Sequence, residues 1–217
     1  MFTGFGPKAL PFLRALDFHQ SREWYGENKG LFESELRKPL MALVDALSER
    51  CAAEGLPYRG SGKTSLYRIY RDIRFSKDKR PFNRHVSALL TPSGTKDESQ
   101  SLLYVHFGLD RLFCATGWYQ PAPERLLLFR RAIVDHPDRY RAIVADLAQK
   151  GLAFGEMNAL KRMPAGFESV AEDDLRDAVR ARNFIVEKTF DEARLASPAL
   201  LDDILSLARD TAPFRAW

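Results

Sequence analysis

Along the first sixty residues apolar side chains return at helical spacing, and from Ser65 the repeat shortens to two. In the helical part, Trp24, Leu31 and Phe32 form a stripe behind Ser21, a residue type that caps a first turn. Glu23 and Glu27 stand early, where carboxylates favour the helix dipole. Leu40, Leu43, Val44 and Leu47 predict a second helix with Pro39 in its first turn, ended by Gly55 and Pro57.

Beyond Ser65, Ile69, Ile73 and Phe75 fall on one side of an extended segment and Arg68, Tyr70, Asp72 and Arg74 on the other. Val86–Thr91, Leu102–Leu109 and Arg111–Thr116 read as three further strands, with the polar stretch Pro92–Ser101 as a loop and a tight turn over Gly108–Asp110. Four strands with short links predict an antiparallel meander, one face packed and one partly open. Gly117–Pro123 closes the sheet region. Helices are expected over about Ala122–Val134 and Asp138–Lys150, the latter with Tyr140, Ile143, Val144 and Leu147 inward. Gly151–Phe167 reads as irregular, followed by a short helix near Asp173–Arg180 and a last one opening at Ser197-Pro198. The pattern predicts one α+β domain over residues 1–217: helical over 1–60, sheet over 65–117, helical again over 122–217.

Composition narrows this further. The chain has 217 residues, of which 45% are hydrophobic, enough for a sizeable core. No apolar run approaches the roughly 18 residues that span a membrane, and Met1–Lys8 lacks the basic start and apolar stretch of a secretory signal. Cys51 and Cys114 stand alone, without CxxC spacing, and read as reduced core thiols. A cytoplasmic protein without a membrane partner is expected.

The net charge of +4 is unevenly spread. Between Leu66 and His85 lie seven cations, Arg68, Arg71, Arg74, Lys77, Lys79, Arg80 and Arg84, against two acids, Asp72 and Asp78, so the remaining residues sum to −1. Tyrosines alternate with the arginines. Arg71 falls beside Ile69 and Ile73, on the side expected to pack, so it is predicted to be largely buried. Its predicted partner is an acid from outside its own strand, Glu23 first, because an unpaired buried guanidinium costs several kcal/mol. Arg68 and Arg74 are expected at the surface. Such a cluster is either internal ion-pairing or an anion site framed by tyrosines.

Other motifs are weaker. Gly60-Ser61-Gly62-Lys63-Thr64 suggests a phosphate-binding loop, but the position of the required first glycine is Pro57, and a helix precedes it where a strand should. It reads as a turn. His19, His85, His106 and His136 have no partner at helical spacing, so neither metal nor cofactor is expected, although His85 and His106 can meet across neighbouring strands. Asn28 and Lys29, on the helix carrying Arg22-Glu23-Trp24-Tyr25, are candidates for the same basic face. Gly117-Trp118-Tyr119-Gln120-Pro121 stands at a strand end.

Taken together, Arg22-Glu23-Trp24-Tyr25 with Asn28-Lys29, the stretch from Tyr70 to Lys79, Gly117 to Pro121, Leu160 to Phe167 and Ala212-Pro213-Phe214 are similar in order to a mainly bacterial family of conserved hypothetical proteins, domain of unknown function 2461. The chain departs from that family at His19-Gln20, where the family's turn is asparagine-rich, and at Asn83-Arg84, where it has a lysine-threonine type of pair. The resemblance implies one full-length domain and brings no activity with it.

The leading expectation is therefore a binding protein for a phosphate-bearing or other anionic ligand, with nucleic acid included, using Arg68, Tyr70, Arg71, Arg74, Lys77, Lys79, Asn28 and Lys29. The alternative is an enzyme acting on a small phosphorylated or carboxylated substrate, with His85, His106 or Tyr119 handling protons. A third possibility is a structural or interaction protein whose arginines are all paired internally.

Overall fold

A computed structural model describes residues 1–96 and 101–215. Three helices open the chain: α1 (Ala9–His19), α2 (Arg22–Phe32) and α3 (Lys38–Ala53). Ser21 caps α2 as expected, its hydroxyl accepting from the Trp24 amide at 3.3 Å. No loop separates α2 from α3. A π-helical turn over Glu33–Arg37 joins them. The wider turn sits directly before Pro39, which has no amide to give and a ring that crowds the preceding turn.

The sheet is formed by β1 (His85–Leu90), β2 (Leu102–Gly108), β3 (Leu112–Trp118) and β4 (Phe184–Thr189), antiparallel in that order. The architecture is α+β with a four-stranded antiparallel sheet. The first predicted strand, however, is not one of the four. From Ser65 the chain touches β1 only at its start, where the Tyr67 amide donates to Ser87 at 2.9 Å and the Leu89 amide to Ser65 at 3.0 Å, and then leaves the sheet. Asp72 accepts from the Arg74 amide at 3.2 Å and Asp78 from the Arg80 amide at 3.0 Å. These turns, each closed by an aspartate onto the amide two residues on, use donors that a strand ladder would need. Residues 69–83 form a loop instead, pinned at its base by Arg71 N to Pro81 O and Asn83 N to Ile69 O. Phe75, predicted to pack, is 95% exposed at its tip.

The fourth strand comes from Phe184–Thr189, in a region expected to be helical or irregular. Its alternation was readable: Phe184 and Val186 are buried, Ile185 and Glu187 face the other side. Gly117 has φ +126°, and a Cβ there would run into the Phe184 carbonyl, so only glycine lets β3 and β4 approach at this point.

The remaining helices are α4 (Pro123–Asp135), α5 (Pro137–Gln149), α6 (Asp173–Arg180), α7 (Glu192–Leu195), α8 (Leu200–Asp210) and α9 (Ala212–Arg215). On α5, Tyr140, Ile143 and Leu147 are inward, whereas Val144 is exposed, contrary to expectation. Of the predicted loop Pro92–Ser101, residues 97–100 lie outside the described ones.

One face of the sheet carries Val86, Ala88, Leu90, Leu103, Val105, Phe107, Cys114, Phe184 and Val186, all buried, and packs on α3 and α8. Among the described residues, no helix is long and apolar enough to cross a membrane.

Candidate functional site

The opposite face of the sheet holds a cleft of about 700 Å³, and among the described residues none that lines it comes from a helix. Its floor is built from alternate residues of all four strands, among them His85, Ser87, Tyr104, Phe113 and Glu187. One wall is the segment Tyr67–Asp72, which passes the outer edge of β1, and the opposite wall carries Tyr119. The wall with the arginines is held at its base by Gln20. That residue ends α1 in a left-handed conformation, φ 44°, and aims its amide at the backbone of Phe82. It accepts from the Phe82 amide at 3.1 Å and donates to the Phe82 carbonyl at 3.4 Å. The Phe82 ring is buried between Tyr25, at 4.8 Å, and Tyr70, at 5.1 Å.

The seven cations of the central stretch divide sharply. Arg74 pairs with Asp72, Arg80 with Asp78 and Asp17, and Arg84 with Asp17. Lys79 donates to the Ile73 carbonyl at 3.0 Å. Arg71 is bound to Asp78 at 2.8 Å and to the Arg80 carbonyl at 3.3 Å. Its partner is thus on the returning limb of its own loop, not Glu23, and its side chain keeps 26% exposure. The correction follows from the loss of strand geometry: without a two-residue alternation, Arg68 and Arg71 reach the same cleft. Arg68 is exposed there and makes no side-chain hydrogen bond or ion pair among the described residues. The Arg80 and Arg71 guanidiniums hold the Asp78 carboxyl well below the usual carboxylate range, and Arg74 does the same for Asp72.

Of the other expected residues, Tyr70 and Tyr119 line the cleft, each 45% exposed. Arg74, Lys77 and Lys79 do not. Neither do Asn28, whose amide donates to the Trp24 carbonyl at 2.9 Å, or Lys29, exposed on α2. The glycine-rich turn is occupied with itself: the Gly60 amide donates to Ser48, Ser61 to Ser65 and Gly62 to Asp45, leaving these amides no phosphate to meet.

His85 and His106 do meet, ring centroids 4.1 Å apart. His85 lines the cleft, while His106 is buried behind it. Burial first, and the His106 ring second, push the His85 pKa down to about 4. His106 places Nδ1 at 3.2 Å from the Tyr104 hydroxyl and Nε2 at 3.2 Å from Asp110 Oδ1. A second hollow of about 340 Å³ adjoins the cleft, with Arg71, Asn83 and His85 lining both and Asp110 lining the second. Among the described residues no three His, Cys, Asp or Glu side chains stand together as metal ligands.

Sequence reasoning missed Tyr104, Asn83, Ser87 and Glu187. Three of them, Ser87, Tyr104 and Glu187, are polar strand residues whose register places them on the same face of the sheet, the one that is not core.

These features define a class: an α+β protein with one face of its antiparallel sheet left open as a cleft of arginine, tyrosine and histidine. The chain belongs to the family described as conserved hypothetical protein (DUF2461), whose model matches residues 8–217. No curated protein and no solved structure matches the chain.

Proposed function

We propose that the protein binds a small phosphate-bearing ligand in the cleft on the open sheet face, with Arg68 and Arg71 taking the anion and the tyrosine walls enclosing the remainder. The observation that carries this reading is Arg68. Its neighbours in sequence are neutralised by Asp17, Asp72 and Asp78, yet among the described residues it makes no ion pair or side-chain hydrogen bond at the cleft. Asp72, already paired with Arg74, acts on it only through longer-range attraction. A guanidinium fork so placed matches a phosphate or carboxylate. Because most of the surrounding cations are already paired, a compact ligand suits the surface better than a polyanion does. The reading is tested by calorimetric titration with inorganic phosphate, a nucleoside monophosphate and a single-stranded oligonucleotide, at low and moderate salt. Arg68→Ala should weaken monophosphate binding by about tenfold or more, as expected for a lost hydrogen bond to a charged group, and leave the melting temperature unchanged. Absence of binding to every phosphate-bearing probe, or binding indifferent to Arg68→Ala, would overturn it. Oligonucleotide binding with steep salt dependence, and none of the monophosphate, would favour a nucleic-acid partner instead.

A second reading, that the bound anion is also turned over, is supported by His85 and Tyr119 lining the same cleft as the two arginines.

A further inference from the structure

We infer that the ligand of the cleft is a free guanine nucleotide, its phosphate at Arg68 and Arg71 and its base seated at the far end against Tyr119, Glu156 and Asn183. At β4 the cleft runs into a further hollow of about 310 Å³, and Tyr119, Ile185 and Glu187 line both. The outer wall of this hollow is the segment 154–158, held along the outer edge of β4. Phe154 bridges to Val186, the Gly155 amide donates to the Ile185 carbonyl at 2.8 Å, and the Asn183 amide donates to the Met157 carbonyl at 3.0 Å. The sheet thus carries a wall on each edge, arginines beside β1 and carboxylate and amide side chains beside β4. From one wall to the other there are five strand spacings of about 4.8 Å, about 24 Å between backbones. With arginine and glutamate side chains reaching in from the two ends, that span suits a nucleotide better than free phosphate.

The donors and acceptors of the hollow select the base. The Gln120 amide donates to Asn183 Oδ1 at 2.9 Å, and a backbone N–H can only donate, so the side-chain oxygen faces Gln120 and the NH2 group faces away. Asn183 is 7% exposed and lines the hollow, and its NH2 group has no partner among the described residues. That nitrogen is not one of those sealed from solvent, so it is left to meet what enters the hollow. The carboxylates divide as the cations of the cleft do. Glu187 is paired with Arg111, and Arg182 is occupied by Asn158, donating to its carbonyl at 2.9 Å and its Oδ1 at 2.8 Å. Glu156 is exposed and makes no hydrogen bond or ion pair among the described residues. One amide donor and one unpaired carboxylate therefore stand together. Guanine answers both: its O6 accepts, while N1–H and the 2-amino group present adjacent donors that a carboxylate takes as a pair. Adenine has an amino group in place of that acceptor and turns an unprotonated N1 towards the carboxylate. Tyr119, 45% exposed where cleft and hollow join, supplies a ring face for the base.

This inference rests on the phosphate reading of the cleft, and its test separates the two. Calorimetric titration compares guanosine monophosphate with adenosine monophosphate, with inosine monophosphate, which lacks only the 2-amino group, and with inorganic phosphate. The guanosine ligand should bind about tenfold or more tightly than either of the other nucleotides, the discrimination expected of a paired hydrogen bond to a base edge. Glu156→Gln, at an exposed position, should abolish the preference for guanosine over inosine monophosphate and leave phosphate binding unchanged. Asn183→Asp keeps the oxygen that Gln120 requires and replaces the donor with an acceptor, so it should weaken guanosine monophosphate far more than adenosine monophosphate. The Glu156→Gln comparison stands whatever Asn183→Asp does to the fold. Adenosine monophosphate binding as tightly as guanosine monophosphate leaves the anion site in place and overturns the guanine seat. A preference for guanosine that survives Glu156→Gln overturns it too, and no binding by any probe overturns both readings. A guanosine-ended tetranucleotide that binds more tightly than guanosine monophosphate would assign the seat to nucleic acid and overturn the free nucleotide as its ligand.

Discussion

Phe82 and Phe75 belong to the same arginine-bearing loop, and replacing each by alanine separates the part of the loop that is anchored from the part that is not. Phe82 is 1% exposed, with its ring against Tyr25 and Tyr70 and its backbone clamped at both polar atoms by Gln20. Removing the ring uncovers about 150 Å² of buried apolar surface, which at about 25 cal/mol/Å² is about 4 kcal/mol. The cavity left behind keeps the cost within the range of about 3–5 kcal/mol seen for buried phenylalanines. For a chain of this size that corresponds to a fall of about 8–16 °C in melting temperature. Phe75, at 95% exposure, has no buried surface to lose, and its replacement should stay within about 0.5 kcal/mol of wild type. Urea unfolding and thermal denaturation of the two variants measure both numbers. A Phe82→Ala variant that loses less than about 1 kcal/mol, or no more than Phe75→Ala, would refute the idea that this contact seats the arginine wall of the cleft.

Two further outcomes follow from burial of ionisable groups. His85 has its pKa lowered from 6.5 to about 4 in the folded protein, so the unfolded chain binds its proton more readily; the contribution of neutral His85 is complete above pH 6.5 and is lost as the pH falls towards 4. His85→Gln should flatten the decline of the urea midpoint across that window, and an unchanged decline would contradict the assignment. Burial pushes the Cys51 thiol up to about 11 and the Cys114 thiol further still, so neither should react with Ellman's reagent at pH 8 until the protein unfolds; a thiol that titrates in the native state would show that the core under α3 or β3 is open.

What the sequence by itself determined is the local structure. The 3.6-residue repeat over Leu40–Leu47, the cap at Ser21, Pro39 in a first turn and the short amphipathic run Asp173–Arg180 all correspond to elements in place, because the free energies that select a helix act within a few residues. The three strands from His85 to Trp118 were legible for the same reason: alternation and tight turns are short-range properties. Tertiary structure decided which extended segments pair. Residues 67–75 alternate as well as any strand, yet Asp72 and Asp78 capture the amides two residues on, and the place beside β3 goes to Phe184–Thr189 from the far end of the chain. Backbone pairing is non-local, and nothing in a segment's own alternation states whether a partner edge is free. The site shows the same division. Composition disclosed the arginines but not which of them would be neutralised, since Arg71 found Asp78 only after the loop closed on itself, and Arg68 was left facing the cleft. Tyr104, His106 and Asp110 lie close in the chain, but their common line of hydrogen bonds exists because β2 turns alternate side chains onto one face and the hairpin turn brings the carboxylate back beneath them.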